Sequence, residues 1–414
     1  MTEKNLQGTN INRVKAHNLR AVLLTLLHEP SLSRVQLAKR TKLSNTTITN
    51  LVAELIEQGI VSEDGESKHA PEGTRPVGRP RTGVRLEPGA CFVVGVHIGV
   101  GIFRVAIANL RNEILHKQSH EFDIKLPAMK VLDQIALSVE ETIASSQVER
   151  NRILGVGVGA SGLVDFQFGT IVMAPNLNWR DIPLKEYLQK AVKLPVVVDN
   201  NVRAMAFGET HFGAGRDVNS LAFVYGRIGV GAGLTYKGQV YRGSAMGAGE
   251  IGHTIMLLHG GEPCRCGNSG CLETLVSEVA ILRQAEHIAQ QNPEGILART
   301  MRERQDLDPI ERVFTAARQG DEAVRSMLAE RAYYLGIALV NLVNLYNPEL
   351  IILGGIFAQG KDFFLEPALN TVRECSFGDM GKSVRVQATA FEWKAGVIGA
   401  AALALMSFFY NSES

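Results

Sequence analysis

The chain has few cysteines, only five among 414 residues. This scarcity excludes a small secreted scaffold held together by disulfides. The first residues contain no apolar stretch of the signal-peptide kind, so we expect a cytoplasmic protein. The longest apolar run, residues 395–410, is shorter than the roughly 18 residues expected of a membrane-spanning helix. We therefore expect a soluble protein with no membrane partner, in which this run forms a buried C-terminal helix.

Net charge is also almost absent, because 43 Lys and Arg residues face 42 Asp and Glu residues. The charge is unevenly distributed, since residues 1–90 hold 13 basic and 9 acidic residues while the remainder is mildly acidic. The apolar fraction of 45% permits a large core, and the length favours two or three domains. A basic segment in front of an acidic body is typical of a nucleic-acid-binding domain joined to a second function.

The first ninety residues have the pattern of three short helices followed by a wing. Leucine and valine recur at helical spacing over residues 16–28, and Pro30 ends that helix. Ser33 has capping-box spacing at the start of a second helix, and Ser44 can cap a third one that ends before Gly59. Two short strands on either side of a polar, Pro- and Gly-rich stretch complete the pattern of a winged helix-turn-helix.

The third helix predicts DNA binding, because its short polar first turn can reach phosphates and base edges in a major groove. The alternatives are a solvated helix face or a module that binds protein. The stretch Gly78-Arg79-Pro80 can place an arginine in a minor groove, or it can be a stiff linker that touches only phosphates or solvent. The candidate DNA-binding residues are Arg34, Ser44, Asn45, Thr46, Thr47, Asn50, Arg79 and Arg81.

From residue 91 onward, apolar strands alternate with helical stretches, one of them expected over residues 275–290, which is typical of an α/β fold. Two similar sets of strands predict two lobes with a cleft between them. Many of the 41 glycines lie where a strand enters a turn, and there a ligand can approach the backbone closely. The predicted domains are a winged helix-turn-helix at 1–72, an Arg/Pro/Gly linker with a wing strand at 73–90, and the two-lobed body at 91–414.

Three of the five cysteines fall within residues 264–271, shortly after a histidine. Three thiolates and one imidazole make a closed tetrahedral set that suits a structural Zn²⁺ ion. Three free core thiols are the alternative. The candidate ligands are His253, Cys264, Cys266 and Cys271. The remaining Cys91 and Cys375 are isolated, and we expect both in the core.

Three motifs of the body are Gly249-Glu250-Ile251-Gly252-His253, the cysteine segment that ends at Glu273, and Leu353-Gly354-Gly355. Together they resemble the ROK family of sugar kinases and transcriptional repressors. The resemblance covers essentially the whole chain, and the winged helix-turn-helix with its Gly-Arg-Pro linker is similar to the repressor branch of xylose and N-acetylglucosamine repressors. It implies an α/β chain in which a two-lobed actin-like (ribonuclease H-like) sugar-kinase fold follows the winged helix-turn-helix.

The resemblance also implies a sugar site in the body. In the family, the Glu and His of the Glu-x-Gly-His motif, the Glu after the last Cys and the Asn of a Pro-Asn-Leu stretch contact sugar hydroxyls. Carboxylates and amides supply the acceptors and donors that a pyranose needs. Glu250 can instead serve only to orient His253 on the metal. The implied sugar-binding residues are Gly162, Asn176, Asn200, Asn201, Glu250, His253 and Glu273.

Three departures from the kinase pattern predict that phosphoryl transfer is lost. Asn201 stands where the family's kinases carry an Asp general base, and an amide cannot take a proton at neutral pH. The stretch 97–101 replaces an Asp-x-Gly-Gly-Thr phosphate loop, and Ile228 replaces the usual Thr of the second loop. We therefore expect no enzyme activity and no ATP or Mg²⁺ as cofactors.

The predicted function is a sugar-responsive repressor that is released from operator DNA by a monosaccharide bound between the lobes. We expect at least a homodimer, or a dimer of dimers, because helix-turn-helix heads match paired half-sites. One alternative is a DNA-binding regulator controlled by a protein partner without any sugar. The other alternative is an active ROK sugar kinase with an appended DNA-binding module.

Overall fold

A computed structural model describes residues 11–64 and 82–411 of the chain. Two of the candidate DNA-binding residues, Arg79 and Arg81, lie outside these ranges, as does the first half of the predicted linker, residues 73–81.

The N-terminal domain consists of three helices and a small three-stranded sheet. Its elements are α1 (Ile11–His28), β1 (Leu32–Ser33), α2 (Arg34–Thr41), α3 (Asn45–Glu57), β2 (Val61–Asp64) and β3 (Gly83–Leu86). The strands pair antiparallel in the order β1-β3-β2. Ser33 forms a capping box with Gln36, and the left-handed Lys42 ends α2, so that α3 leaves at a tight turn. These local signals produce the winged helix-turn-helix that the sequence predicts.

The first lobe of the body is a five-stranded sheet with helices and a small three-stranded sheet. Its elements are β4 (Phe92–Ile98), β5 (Ile102–Asn109), β6 (Ile114–Glu121), α4 (Ala128–Ser145), β7 (Ile153–Ala160), β8 (Leu163–Asp165), β9 (Thr170–Ala174), β10 (Trp179–Ile182), α5 (Leu184–Val192), β11 (Val196–Asn200) and α6 (Asn201–Phe212). The large sheet has the order β11-β7-β4-β5-β6, in which β11, β7 and β4 are parallel.

The second lobe repeats this plan with a larger set of helices. Its elements are β12 (Ser220–Gly226), β13 (Val230–Tyr236), β14 (Gln239–Tyr241), α7 (Leu272–Val276), α8 (Glu278–Gln291), α9 (Ile296–Glu303), α10 (Pro309–Arg318), α11 (Glu322–Tyr346), β15 (Leu350–Gly355), α12 (Ile356–Gln359), α13 (Lys361–Cys375), α14 (Met380–Ser383) and β16 (Arg385–Ala388). The last helix, α15 (Ala395–Leu405), returns to the first lobe. The sheet has the order β14-β13-β12-β15-β16. In both lobes a central strand pairs antiparallel with its successor and parallel with a later strand. The predicted two-lobed fold is confirmed.

The predicted buried C-terminal helix is α15, followed by a π-helical turn at Met406–Tyr410. It packs across β4 and β7, where a Cβ atom at Gly95 or Gly157 would clash with the helix backbone. Within the described ranges, Glu392–Tyr410 alone has the length and composition of a membrane span, and 72% of its most apolar window is buried. The apolar side chains of this segment are therefore part of the core of the body.

Two details differ from the sequence-based expectations. The helix expected over residues 275–290 is two helices, because Ser277 leaves the helical conformation and caps α8 through the N–H of Ala280. The expectation that both isolated cysteines lie in the core is wrong, because Cys375 is exposed and Cys91 is half-buried. Cys375 ends α13 on the solvent side of the helix, where its thiol needs no packing partner.

Candidate functional site

A cavity of about 410 Å³ opens at the carboxyl ends of β4, β7 and β11 and against the start of β13. This edge of a parallel sheet is the usual place for a ligand in an open α/β fold. All seven residues that the family resemblance implies as sugar contacts line this one cavity. The structure thus brings together residues that are up to 111 positions apart in the chain.

The floor of the cavity on the first lobe is built by the junction of β11 and α6. Asn200 caps α6 through its Oδ1, which accepts from the N–H of Val202 at 2.9 Å and of Arg203 at 3.1 Å. Its Nδ2 donates to the carbonyl of Gly162 at 2.9 Å. The neighbouring Asn201 makes one side-chain hydrogen bond among the described residues, from Nδ2 to the Ser161 hydroxyl at 3.3 Å. Asn200 thus shapes the floor, while the amide oxygen of Asn201 is available to a ligand.

The opposite wall carries the acidic groups. Gly249 has φ 94° and lies against the Ala232 backbone, a conformation and a distance that only glycine permits. This turn places Glu250 in the cavity, where burial raises its carboxyl pKa and the nearby His253 and Arg203 partly offset the effect. Glu273 accepts from the N–H of Val230 at 2.8 Å. The two carboxyl groups are therefore held by backbone geometry before any ligand binds.

A buried ion network, which sequence reasoning missed, joins the two walls. Asp199 is completely buried and accepts from Arg203 Nε at 2.7 Å and from Arg242 Nη2 at 2.7 Å. Arg203 also donates to the carbonyls of Val164 and Met246. Because a buried charge needs several partners, this network fixes the loop that leads to Glu250 onto the first lobe. Asp199 in β11 and Arg203 in α6 are only four residues apart in the sequence, but Arg242 is distant.

The cysteine segment forms a compact cluster beside the cavity. The ligand atoms of His253, Cys264, Cys266 and Cys271 all lie within 4.8 Å of one another. The His253 Nδ1 atom lies 3.6 Å from Cys264 Sγ, and the Sγ atoms of Cys266 and Cys271 are 3.7 Å apart. One imidazole and three thiols at this spacing can hold a metal ion. Because Nδ1 of His253 faces the thiols, its Nε2 remains for the cavity that the ring lines.

The cluster also connects the two lobes through a polar contact. Arg265, between two of the cysteines, donates from Nη1 to Asn176 Oδ1 at 2.7 Å. Asn176 belongs to the turn between β9 and β10 of the first lobe. A metal ion held by the cluster would therefore stabilise one wall of the cavity and a bridge across it.

The candidate DNA interface is the first two turns of α3, where Asn45, Thr46 and Asn50 are exposed. Ser44 instead caps the helix, because its Oγ accepts from the Thr47 N–H at 3.1 Å and lies 2.8 Å from Thr47 Oγ1.

Arg34 is paired within the domain. Its Nε lies 2.7 Å from Glu63 Oε1 in the wing strand β2. The pair joins α2 to the wing and leaves the arginine less available to phosphate.

Comparisons with known proteins agree with both halves of this architecture. A model of winged helix-turn-helix DNA-binding domains matches residues 16–62, and the ROK family model matches residues 93–407. The chain is similar to a xylose repressor of Caldicellulosiruptor bescii, with 31% identity over 398 residues that cover 96% of this chain and 97% of the relative.

Solved structures extend the similarity. The chain is similar to a ROK family transcriptional regulator described as a homolog of the Escherichia coli MLC protein, with a TM-score of 0.80, 27% identity and coverage of 96% and 97% of the two chains. It is also similar to a ROK family glucokinase from Streptomyces griseus in complex with glucose and AMPPNP, with a TM-score of 0.68 and 30% identity. That match covers 76% of this chain and all of the glucokinase.

Proposed function

The chain belongs to the ROK family, and from this premise we propose that it is a repressor that leaves operator DNA when a monosaccharide binds in the cavity. The observation that carries the proposal is the union, in one chain, of a winged helix-turn-helix and a cavity lined by all seven implied sugar contacts. The similarity to a xylose repressor along nearly the whole length supports the same function.

In this proposal the sugar is held by groups on both walls. Glu250 and Glu273 accept hydrogen bonds from hydroxyls, and His253 Nε2 and Asn201 add a third and a fourth polar contact. Because these groups come from different lobes, a sugar that touches all of them favours one degree of lobe closure. A ligand can change operator affinity only through such a preference for one state.

We propose that the cavity binds sugar without phosphorylating it. Asn201 cannot serve as a general base, and the nearest carboxylate in the chain, Asp199, is buried and engaged by two arginines. His97 and Ile228 stand in the cavity lining where the related kinases carry acidic and hydroxyl groups of their phosphate loops. ATP and Mg²⁺ are therefore not cofactors in this proposal.

We also propose that the metal held by the cysteine cluster is a structural Zn²⁺ ion. Three thiols and one imidazole match its preferred donor set and leave no open position. When bound, the ion supplies charge and rigidity, while the chain's own His253 and Arg265 position the cavity wall.

We propose the division into domains 1–72, 73–90 and 91–414, in which the middle segment contributes the strand β3 to the wing sheet. A homodimer or a dimer of dimers would present two α3 helices to paired half-sites. Operator binding places the protein in the cytoplasm.

The test is fluorescence anisotropy with an operator selected from a random duplex library. We expect one monosaccharide of a broad panel to weaken operator binding at least about tenfold, a coupling free energy of ordinary size. The Glu250→Gln variant should lose this response, while the exposed control Glu262→Gln should keep it. ADP formation from ATP and Mg²⁺ with the bound sugar would favour the kinase, and a complete lack of sugar response would favour control by a protein partner.

A further inference from the structure

His97 is a buried histidine with no assigned task. It is the penultimate residue of β4, is 4% exposed and lines the cavity, yet neither ring nitrogen has a hydrogen-bond partner among the described residues. A Cβ atom at Gly396 would clash with the ring, so the imidazole is packed directly against the backbone where α15 begins. A buried polar side chain without a partner is rare in a native protein, and its position in a cavity points to a ligand.

Two arginines lie around the same histidine. Arg104 is the partner of His97 in the β4–β5 register, so both side chains project from the same face of the sheet. Arg227 lines the cavity just beyond β12, and its Nε lies 3.6 Å from Glu278 Oε2. Arg104 has no carboxylate partner in the part of the chain that the structure describes. We call His97, Arg104 and Arg227 the His97 cluster.

The electrostatics of the His97 cluster favour an anion. Burial lowers the pKa of His97 to about 3, and both arginines add to this effect, so the ring is neutral and can donate one N–H. Burial and the nearby Arg227 also lower the pKa of Arg104. Of the two guanidinium groups, only that of Arg227 pairs with a carboxyl group among the described residues, that of Glu278, whose own pKa is raised by burial. The positive charge that remains would be neutralised by a bound anion.

We propose that the His97 cluster binds the phosphate group of the effector, so that the effector is a phosphorylated monosaccharide. The inference rests on the proposed function, because it assumes that the sugar ring occupies the seven residues described above. A guanidinium fork matches two phosphate oxygens at once, and the imidazole N–H matches a third. The phosphate carries up to two negative charges, which suits two arginines better than the single charge of a carboxylate does.

Isothermal titration of the full chain with matched compounds tests the inference. Each set contains a neutral sugar, its phosphate ester and its uronic acid, for example glucose, glucose 6-phosphate and glucuronate, with inorganic phosphate as a separate probe. For the sugar that binds, we expect the ester to bind at least about tenfold more tightly than the neutral sugar, as for a charge-assisted contact. The Arg104→Gln and Arg227→Gln variants should remove this advantage and retain the affinity for the neutral sugar.

The control variant Arg299→Gln removes the same charge from an exposed position on α9 and should keep the advantage. The inference fails if every ester binds no better than its neutral sugar, or if the uronic acid is preferred over the ester. It also fails if the arginine variants bind the ester as tightly as wild type while their melting temperatures and operator binding are normal. If no sugar of any kind binds, the proposed function fails with it.

Discussion

At the scale of single residues, His253 takes part in both the metal cluster and the cavity. Its Nδ1 faces Cys264, while its ring lines the cavity. The bridge from Arg265 to Asn176 starts in the same cysteine loop. A change in the metal cluster should therefore reach the cavity, although no cysteine needs to touch the sugar.

Cys266→Ser tests whether the cluster holds a metal ion. Loss of one thiolate should lower the zinc content of the purified chain from about one ion to almost none, because a closed site needs all four donors. The melting temperature should also fall, since metal binding contributes free energy to folding. Elemental analysis and thermal unfolding measure the two effects.

Cys375→Ser is the matched control, because it removes an exposed thiol far from the cluster in sequence. It should keep both the zinc and the melting temperature. Full zinc content in Cys266→Ser would contradict the assignment of the site.

His211 gives the stability a pH dependence with a definite sign. Burial lowers its pKa to about 4, and His28 and Arg20 of α1 add to the effect. The ordinary value of 6.5 holds in the unfolded chain, so the unfolded state takes up the proton first as the pH falls. The neutral His211 therefore costs no stability above pH 6.5. Below that pH the free energy of unfolding falls, by about 2 kcal/mol between pH 7 and pH 5.

Denaturant unfolding of His211→Gln at the two pH values checks this prediction. Glutamine can still donate to the Gly238 carbonyl that accepts from His211, but it does not titrate. The variant should therefore lose less stability on acidification than wild type does. His287→Gln, at an exposed position of α8, should behave like wild type. Equal pH dependence in wild type and His211→Gln would show that another group is responsible.

At the scale of elements, α3 separates the residues that build the helix from those that can read DNA. The hydroxyl groups of Ser44 and Thr47 are hydrogen-bonded to each other, and Ser44 Oγ also accepts from the Thr47 N–H in the first turn. Asn45 and Asn50 remain exposed and carry amides that can bind an adenine edge with two hydrogen bonds. Specific recognition should therefore depend on the asparagines more than on the cap.

The double variant Asn45→Ala/Asn50→Ala should weaken operator binding by about 1–3 kcal/mol for each lost base contact. Binding to random duplex should change little, and sugar affinity should stay the same. Anisotropy with both duplexes measures the difference, and Asn292→Ala in the body serves as the control. Normal operator affinity in the double variant would remove α3 as the reading element.

The elements that the sequence predicts correctly are those with local causes. The apolar stripes and the Ser33 and Ser44 caps lie within a few residues of one another, so the three N-terminal helices can be derived from spacing alone. The residues that line the cavity could likewise be predicted, from the family motifs. The Asp199 network and the His97 cluster could not be derived, because their partners come from different strands and the burial of each charge depends on the finished fold.

At the scale of the whole molecule, the DNA-binding domain and the cavity are connected by one buried helix. The apolar core of the winged helix-turn-helix, with Leu23 and Leu26, is continuous with Met406 and Tyr410 after α15. Tyr410 also donates from its hydroxyl to the Leu110 carbonyl at 2.8 Å, which fixes the turn to β5. The opposite end of α15 begins against His97 in the cavity. A rigid helix that touches both sites can carry a change of lobe closure to the DNA-binding domain.

Met406→Ala should weaken this connection, because it opens a gap where the turn meets the core of the winged helix-turn-helix. The ratio of operator affinities without and with sugar gives the coupling free energy. We expect this free energy to fall by about 0.5–2 kcal/mol, while sugar affinity itself is retained. Met327→Ala removes another buried methionine, from α11 in the second lobe, so it controls for lost stability. An unchanged ratio in Met406→Ala, or an equal loss in Met327→Ala, would mean that coupling takes another route through the body.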